Sequence, residues 1–143
     1  MTDEIKIDRW QIQKETVNFS SRVWELRTRK YYHPKRKTSE DFYYISSPDW
    51  VVGVGRTVNK EIILVRQFRW GIDDFSLELP GGIIDPNEDP LEAGVREFKE
   101  ETGYVGGDCI SLGTCLPNPS MLNNHCHFIS VSYTHLTLPT SYP

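Results

Sequence analysis

The segment from Gly82 to Tyr104 constrains this chain more than any other, because it predicts a loop that leads directly into one helix. Pro80-Gly81-Gly82 interrupts the chain before it, and Asp85-Pro86-Asn87 is typical of a turn. Asp89 is a good N-cap and Pro90 is a good first helical residue. The sequence therefore predicts a helix that begins near Pro90.

The predicted helix carries three acidic residues on one side. At about 3.6 residues per turn, Glu97, Glu100 and Glu101 fall within an arc of roughly 100°. Lys99 is predicted to point away from them and Arg96 only to flank the arc, so their charges repel one another unless a cation is bound. All three ligands are carboxylates, which favours Mg²⁺ or Mn²⁺ over zinc. The alternative interpretation is an ordinary solvated acidic face.

Seven positions of this segment match the Nudix box, G-x5-E-x7-R-E-U-x-E-E-x-G-U, in which U is an apolar residue. They are Gly82, Glu88, Arg96, Glu97, Glu100, Glu101 and Gly103. Tyr104 stands where the family usually has an aliphatic residue, and a tyrosine ring can still be buried there. The segments LVRQFRWG, LELPGGIIDPNEDP and LPNPSMLNNHCHF resemble the ADP-ribose pyrophosphatase branch of the Nudix hydrolases. This likeness extends over nearly all of the chain up to Ser130.

The resemblance implies a metal site and a set of catalytic residues. Glu97, Glu100 and Glu101 correspond to the family's metal ligands, and the carbonyl group of Gly82 often joins them. By the same resemblance Arg96 orients the carboxylates. The resemblance also implies that the catalytic residues are Glu100, Glu101 and Arg96. Glu88 supports the loop or a further metal ion.

The resemblance also implies where the substrate binds. Trp24, Glu25 and Arg29 resemble the adenine-stacking and ribose-holding part of this branch, whose N-terminal strands cross over to the partner in a homodimer. Arg69 matches a position that contacts substrate. A tryptophan offers a flat face to a base, and an arginine can donate two hydrogen bonds to a phosphate. The alternatives are that Trp24 belongs to the core or to a dimer interface and that Arg69 is a surface residue.

Strand patterns and one marked helix predict an α+β fold. The resemblance implies the Nudix fold, a mixed β-sheet packed between helices as an α/β/α sandwich, with N-terminal antiparallel strands. The apolar run Ile62–Val65 predicts a buried strand after a hairpin turn at Asn59-Lys60. The predicted strands are Val23–Arg29, Asp41–Ser46, Trp50–Thr57, Glu61–Trp70, Phe75–Leu79, Cys109–Leu116 and Asn124–Ser130.

Three regions are expected along the chain: an N-terminal strand region at residues 1–48, a Nudix domain at 49–130 and a non-native tail at 131–143. Val131 to Thr140 back-translates to a sequence that resembles a sequencing-library adaptor. A native strand that runs into a loop is the alternative. The Nudix fold normally ends with a helix, so we expect an incomplete C-terminus. The general base of related enzymes would lie past Ser130, so no residue is assigned to that role and little or no activity is expected of this chain.

Composition excludes several classes of protein. The 143 residues are enough for one domain, and a net charge of −4 gives no general attraction to nucleic acid. No apolar run is long enough to cross a membrane. Three cysteines form no even disulfide set, which favours a cytoplasmic location. The triplet His125-Cys126-His127 is not predicted to bind metal, because adjacent residues of a strand point to opposite faces.

These observations give one main functional hypothesis and two alternatives. The main hypothesis is Mg²⁺-dependent hydrolysis of ADP-ribose to AMP and ribose 5-phosphate by a homodimer. The first alternative is the same reaction on NADH or another nucleotide sugar. The second is a Nudix-fold module that senses ADP-ribose or NAD derivatives without catalysis. Such a module would gain nothing from the charge repulsion of Glu97, Glu100 and Glu101.

Overall fold

The computed structural model of the chain describes residues 8–136, which form nine strands and one helix. The elements are β1 Gln11–Ser20, β2 Glu25–His33, β3 Thr38–Ser46, β4 Trp50–Arg56, β5 Val65–Arg69, β6 Asp74–Glu78, β7 Gly81–Ile83, α1 Pro90–Thr102, β8 Tyr104–Cys115 and β9 Cys126–Leu136. The chain divides into two compact units. Unit 1 runs up to Ser47 and includes Asn118–Asn123, and unit 2 contains Pro48–Pro117 and the residues from Asn124 onward.

Unit 1 contains an antiparallel sheet in the order β1-β2-β3. Strands β2 and β3 are joined by a tight turn, in which the Lys37 N–H donates to the His33 carbonyl oxygen at 2.8 Å. Lys37 has a positive φ of 53°, the left-handed conformation that a non-glycine residue adopts mostly in turns. Sequence reasoning missed β1, whose residues are all exposed. A strand without a buried face lacks the alternation by which strands are recognised.

Unit 2 is built on a mixed sheet in the order β7-β4-β9-β8, with β4 parallel to β9 and the other pairs antiparallel. Helix α1 packs on one face of this sheet. The core consists of Val51, Ala93, Phe98, Ile129 and Val131, all at most 1% exposed. A mixed sheet with a packed helix confirms the α+β prediction. Within residues 8–136, α1 is the only helix, so these residues do not form the second helical layer of the expected sandwich.

The prediction of a buried strand at Ile62–Val65 is wrong. Ile62 is 51% exposed and Leu64 is 44% exposed, and only Val65 belongs to a strand. The turn itself forms, because the Lys60 N–H donates to the Thr57 carbonyl oxygen at 2.9 Å. Pairing with β4 stops after one bridge, and the chain then pairs β5 with β6 in a separate two-stranded sheet.

Part of the expected non-native tail lies within β9. Val131 is 1% exposed and packs in the core of unit 2, and the strand continues to Leu136. Residues 137–143 lie outside the described residues, and the foreign origin of the tail stays a prediction. No helix among residues 8–136 is long and apolar enough to cross a membrane.

Candidate active site

Helix α1 begins and ends as its sequence predicts. The Asp89 side chain accepts a hydrogen bond from the Leu91 N–H at 2.9 Å, and Pro90 occupies the first turn. At the other end Gly103 adopts the left-handed conformation at φ 73°, and its N–H donates to the Lys99 carbonyl oxygen at 2.9 Å. Both ends are thus fixed by local hydrogen bonds, and the acidic residues lie on the last two turns.

Arg96 ties the preceding loop to the helix. Its Nε and Nη2 atoms donate to the two carboxylate oxygens of Glu88, each at 2.8 Å, and Nη2 also donates to the Ile83 carbonyl oxygen at 3.2 Å. Glu88 in turn accepts a hydrogen bond from the Asp85 N–H at 3.0 Å. The Arg96 guanidinium, followed by that backbone donor, lowers the pKa of Glu88 to about 2. These contacts hold Glu88 against the loop, and its role toward a further metal ion stays a prediction.

Arg96 also lies among the acidic residues. Its Nη1 atom donates to Glu97 Oε1 at 2.6 Å and lies 3.7 Å from Glu100 Oε2. The prediction that Arg96 only flanks the arc is therefore wrong. A helical projection gives the directions of Cβ atoms, and a long arginine side chain reaches well past its own direction. The Glu97 side chain is 17% exposed, whereas Glu100 is 61% exposed and faces solvent.

Glu101 is held by two donors from neighbouring elements. Its Oε1 atom accepts a hydrogen bond from Gln67 Nε2 at 2.5 Å, and its Oε2 atom accepts one from the Gly81 N–H at 3.0 Å. Sequence reasoning assigned no role to Gln67. The sequence spacing could have identified Gln67, because it lies two residues before Arg69 and therefore on the same face of β5.

Gly82 and Glu97 are in direct contact. A Cβ atom added to Gly82 would lie 2.3 Å from the Glu97 carboxylate carbon, so no larger residue fits without displacing that side chain. Gly82 itself lies in β7 opposite Val51 of β4. The structure thus brings together Gly82, Glu97 and Arg96, with Glu101 fixed against the neighbouring Gly81.

Arg69 forms a two-point ion pair with Glu78. Its Nε atom donates to Glu78 Oε1 at 2.8 Å and its Nη2 atom to Oε2 at 2.5 Å. This pairing raises the pKa of Arg69 and lowers the pKa of Glu78. Both residues belong to unit 2, the unit that contains the acidic helix.

Trp24 and Glu25 lie in unit 1, at the connection between β1 and β2. The Trp24 ring is partly exposed and lies 5.6 Å from the ring of Phe19. Glu25 accepts hydrogen bonds from Ser20 Oγ at 2.9 Å and from Arg27 Nε at 2.7 Å. Their expected contact with substrate stays a prediction.

Arg29 also lies in unit 1 and is already engaged. Its Nε atom donates to Glu15, and its guanidinium lies 4.3 Å from the centre of the Tyr44 ring. Its pKa is raised, mainly by the hydrogen bond to Glu15. A phosphate bound by Arg29 would therefore compete with Glu15. The predicted role of Arg29 did not include this competition.

The expected metal ligands are of the types that Mg²⁺ and Mn²⁺ prefer, but their side chains are not arranged around a common point. Carboxylate oxygens of Glu97, Glu100 and Glu101 and the carbonyl oxygen of Gly82 are ligands that Mg²⁺ and Mn²⁺ prefer. The Glu97 carboxylate lies beside Gly82. Among residues 8–136 there is no group of three or more His, Cys, Asp or Glu side chains close enough to hold a metal ion. The carboxylates instead accept hydrogen bonds from Arg96 and Gln67.

The histidine triplet separates its two imidazole rings from its thiol. His125 and His127 lie near the Asp49 carboxylate, with nitrogen–oxygen distances of 3.5 and 3.6 Å, whereas Cys126 is buried. Strand alternation separates the cysteine from the two histidines, as predicted.

The comparison with known proteins agrees with this geometry. The NUDIX domain profile matches residues 47–141. An ADP-sugar pyrophosphatase from Mus musculus is 40% identical over 80 residues, which are 54% of this chain and 36% of that protein. An ADP-ribose pyrophosphatase from Saccharomyces cerevisiae is 37% identical over 79 residues, which are 55% of this chain and 34% of that protein. The chain thus spans about a third of the length of these curated relatives.

A solved structure shows the same fold. The crystal structure of an ADP compounds hydrolase superposes with a TM-score of 0.82 at 22% identity and covers 98% of this chain and 76% of that protein. The predicted fold and the resemblance to the ADP-ribose pyrophosphatase branch are confirmed by these matches. The chain belongs to the NUDIX domain family.

Proposed function

We propose that this chain belongs to an enzyme that hydrolyses ADP-ribose to AMP and ribose 5-phosphate with Mg²⁺. The names of the relatives from mouse and yeast support an ADP-linked sugar as the substrate. The observation that carries the proposal is the guanidinium of Arg96, which joins Glu88 of the loop to Glu97 of the helix. Such an arrangement fixes Glu97 beside the glycine loop.

In the proposed site Glu97, Glu100, Glu101 and the carbonyl oxygen of Gly82 would hold Mg²⁺. When bound, the ion would neutralise charge on the diphosphate and lower the pKa of the attacking water. Water adds to one phosphorus atom, and the bond from that phosphorus to the bridging oxygen breaks. The water's proton must pass to a base, for which no side chain is assigned.

The other residues orient these groups. Arg96 positions Glu97, while Gln67 and the Gly81 N–H position Glu101 through its two oxygens. Catalysis by Glu100, Glu101 and Arg96, and substrate contact by Arg69, are parts of the proposal. Arg69 can turn from Glu78 to a phosphate group, since both are anionic acceptors of its hydrogen bonds.

We also propose that the enzyme is a cytoplasmic homodimer without affinity for nucleic acid. Exposed apolar residues of unit 1 support a partner on its sheet, and they include Ile12, Val17, Phe19, Phe42 and Tyr43. Binding of substrate by Trp24, Glu25 and Arg29 would accompany such a dimer. The net charge of −4 supports a small-molecule substrate over a nucleic acid.

Incubation of the chain with ADP-ribose, NADH and GDP-mannose tests this function. High enzyme concentration and long incubation with Mg²⁺ allow even slow release of product to be measured. AMP release is expected from ADP-ribose, with less product from the other two compounds. Faster release from NADH would favour the dinucleotide alternative.

The matched variant is Glu101→Gln, which has the same shape and no charge. It should lower the rate of AMP release by at least about 100-fold, because the group it replaces orients the reacting centre. Equal rates in the wild type and the variant would remove the assignment. If both proteins bind ADP-ribose in a calorimeter and neither releases AMP, the sensing module becomes the better interpretation.

A further inference from the structure

The peptide group that joins Ile83 to Ile84, directly after Gly82, is held on both of its sides. Its carbonyl oxygen accepts a hydrogen bond from Arg96 Nη2 at 3.2 Å. Its N–H group donates to the backbone carbonyl oxygen of Asp49 at 3.0 Å. Because a peptide group is planar and rigid, these two bonds fix its orientation. Asp49 thus holds the glycine loop from one side and Arg96 holds it from the other.

The bond between Asp49 and Ile84 lies at the end of a short strand pairing. Strand β7 pairs with β4 over only three residue pairs, the last of which joins Trp50 to Ile83. The ends of such a ladder open most easily, so a further hydrogen bond beyond the last pair limits fraying. The loop can therefore keep its place only while the backbone of Asp49 keeps its own.

The side chain of Asp49 attaches this residue to β9. Its Oδ1 atom accepts a hydrogen bond from the His125 N–H at 2.6 Å, a short bond to a charged acceptor. The imidazoles of His125 and His127 lie 3.5 and 3.6 Å from its two oxygens, and Thr114 Oγ1 of β8 lies 3.1 Å from His127 Nδ1. Partial burial acts to raise the pKa of Asp49, but the His125 N–H and the two imidazoles lower it overall, so the carboxylate stays an ionised acceptor.

We propose that Asp49 is a positioning residue for the proposed metal site, because its carboxylate holds the start of β4 in the place from which its backbone fixes the glycine loop. The inference rests on the proposed function, in which the carbonyl group of Gly82 is a metal ligand. Asp49 lies outside the Nudix box and acts on the metal only through the loop. Loss of its carboxylate allows Gly82 to move relative to the Glu97 carboxylate that lies beside it.

Titration of the chain with Mn²⁺ tests the proposal without any turnover, and electron paramagnetic resonance measures the free ion. Asp49→Ala should weaken Mn²⁺ binding by about 10-fold, as is typical when a group that orients a metal ligand is lost. Asp49→Asn keeps an oxygen acceptor for the His125 N–H and should recover most of the affinity. Asp108→Ala is the matched control, since it removes the same charge from an exposed position of β8 and should bind Mn²⁺ as the wild type does.

Amide hydrogen exchange, followed by NMR, tests whether Asp49 acts through the loop. Exchange at the Ile84 N–H should be about 10-fold faster in Asp49→Ala than in the wild type. Exchange at the Ala93 N–H, which donates to the Asp89 carbonyl oxygen at 2.9 Å, should not change. If thermal unfolding shows that Asp49→Ala is not folded, Asp49→Glu takes its place, because it keeps the charge and displaces the acceptor. The same losses are expected of it.

Four results would overturn the inference. They are equal Mn²⁺ affinity in Asp49→Ala and the wild type, an equal loss in Asp108→Ala or Asp49→Asn, weaker Mn²⁺ binding without faster exchange at Ile84, and absence of Mn²⁺ binding by the wild type. Mn²⁺ binding that depends on Asp49 in a chain that releases no AMP from ADP-ribose would support the positioning role and contradict the proposed hydrolysis. AMP release with equal Mn²⁺ affinity in Asp49→Ala would leave the hydrolysis and remove the positioning role.

Discussion

Arg96 holds three parts of the candidate site with one guanidinium group. Its donors reach Glu88 of the loop, the Ile83 carbonyl oxygen at the end of β7, and Glu97 of its own helix. A planar group with donors in fixed directions can satisfy all three, and a lysine ammonium group would lose this geometry. The repulsion expected among the helix acids is offset at Glu97 by this neighbour, so Glu97 stays inward while Glu100 faces solvent.

Gly82→Ala should weaken metal binding and preserve the fold. The added Cβ would lie 2.3 Å from the Glu97 carboxylate, which is the far end of a flexible side chain and can rotate away. Its displacement separates two of the proposed ligands, so Mn²⁺ binding should weaken by about 10- to 100-fold. Electron paramagnetic resonance of free Mn²⁺ measures this, with thermal unfolding as the check on the fold.

The control for this variant is Gly71→Ala, because a Cβ at Gly71 meets no atom within 4 Å. It should bind Mn²⁺ as the wild type does. Unchanged Mn²⁺ affinity in Gly82→Ala would show that contact between Gly82 and Glu97 has no part in metal binding.

At the scale of elements, the contact between β4 and α1 depends on small residues in the strand. Gly53 and Gly55 lie beneath the ring of Phe98, which is fully buried. Glycine in the interior of a strand lowers the stability of that strand. It is usually found there because another group approaches the backbone closely. Here that group is an aromatic ring, so β4 admits the helix that carries Glu97 and Glu101.

Gly55→Ala should destabilise unit 2. Its Cβ would lie 2.0 Å from Phe98 Cζ, and a fully buried ring has little room to move. Overpacking of this kind costs about 1–3 kcal/mol of unfolding free energy. Urea denaturation measures the loss, and Phe98→Leu in the same chain should recover part of it because the two changes share one contact. Full stability in the single variant would contradict this account of the packing.

Helix α1 could be predicted from the sequence because its signals are local. Asp89, Pro90 and Gly103 each act on the nearest turn, and the structure has their hydrogen bonds as expected. Strand pairing is not local, which explains why β1 was missed and why Ile62–Val65 was wrongly predicted as a buried strand. A short apolar run does not say which strand it will pair with.

In the candidate site, too, the contacts between residues close in sequence could be predicted, and those between distant residues could not. The sequence identified the acidic residues and the glycine loop, which lie close together in the chain. It did not identify Gln67 as a partner of Glu101, because that hydrogen bond joins β5 to the end of α1 across 34 positions.

At the scale of the whole molecule, each compact unit contains an acidic residue that arginine keeps ionised. Glu15 of unit 1 accepts hydrogen bonds from Arg29 and Arg27, and these lower its pKa to about 2 from the ordinary value of 4.5. Glu88 of unit 2 has a pKa of about 2 because of Arg96. A carboxyl group with a lowered pKa binds fewer protons in the folded protein than in the unfolded chain.

The stability of the chain should therefore fall between pH of about 4.5 and pH of about 2. Above this range both states are ionised at Glu15 and Glu88 and the full contribution is present, and it is lost as the folded groups become protonated. Near the middle of the range, unfolding should take up close to one proton per group, or about two from this pair. Potentiometric titration of the folded chain and of the chain in urea measures this uptake.

Glu15→Gln and Glu88→Gln should each lower that uptake by about one proton, and their effects should add because the two residues lie in different units and share no partner. Salt near 1 M should weaken both effects, since both ion pairs are at least partly open to water and the Debye length shortens to about 3 Å. An uptake that neither variant changes would mean that other carboxyl groups govern acid unfolding. If proton uptake falls in only one variant, only the unit that contains that residue contributes to the acid sensitivity.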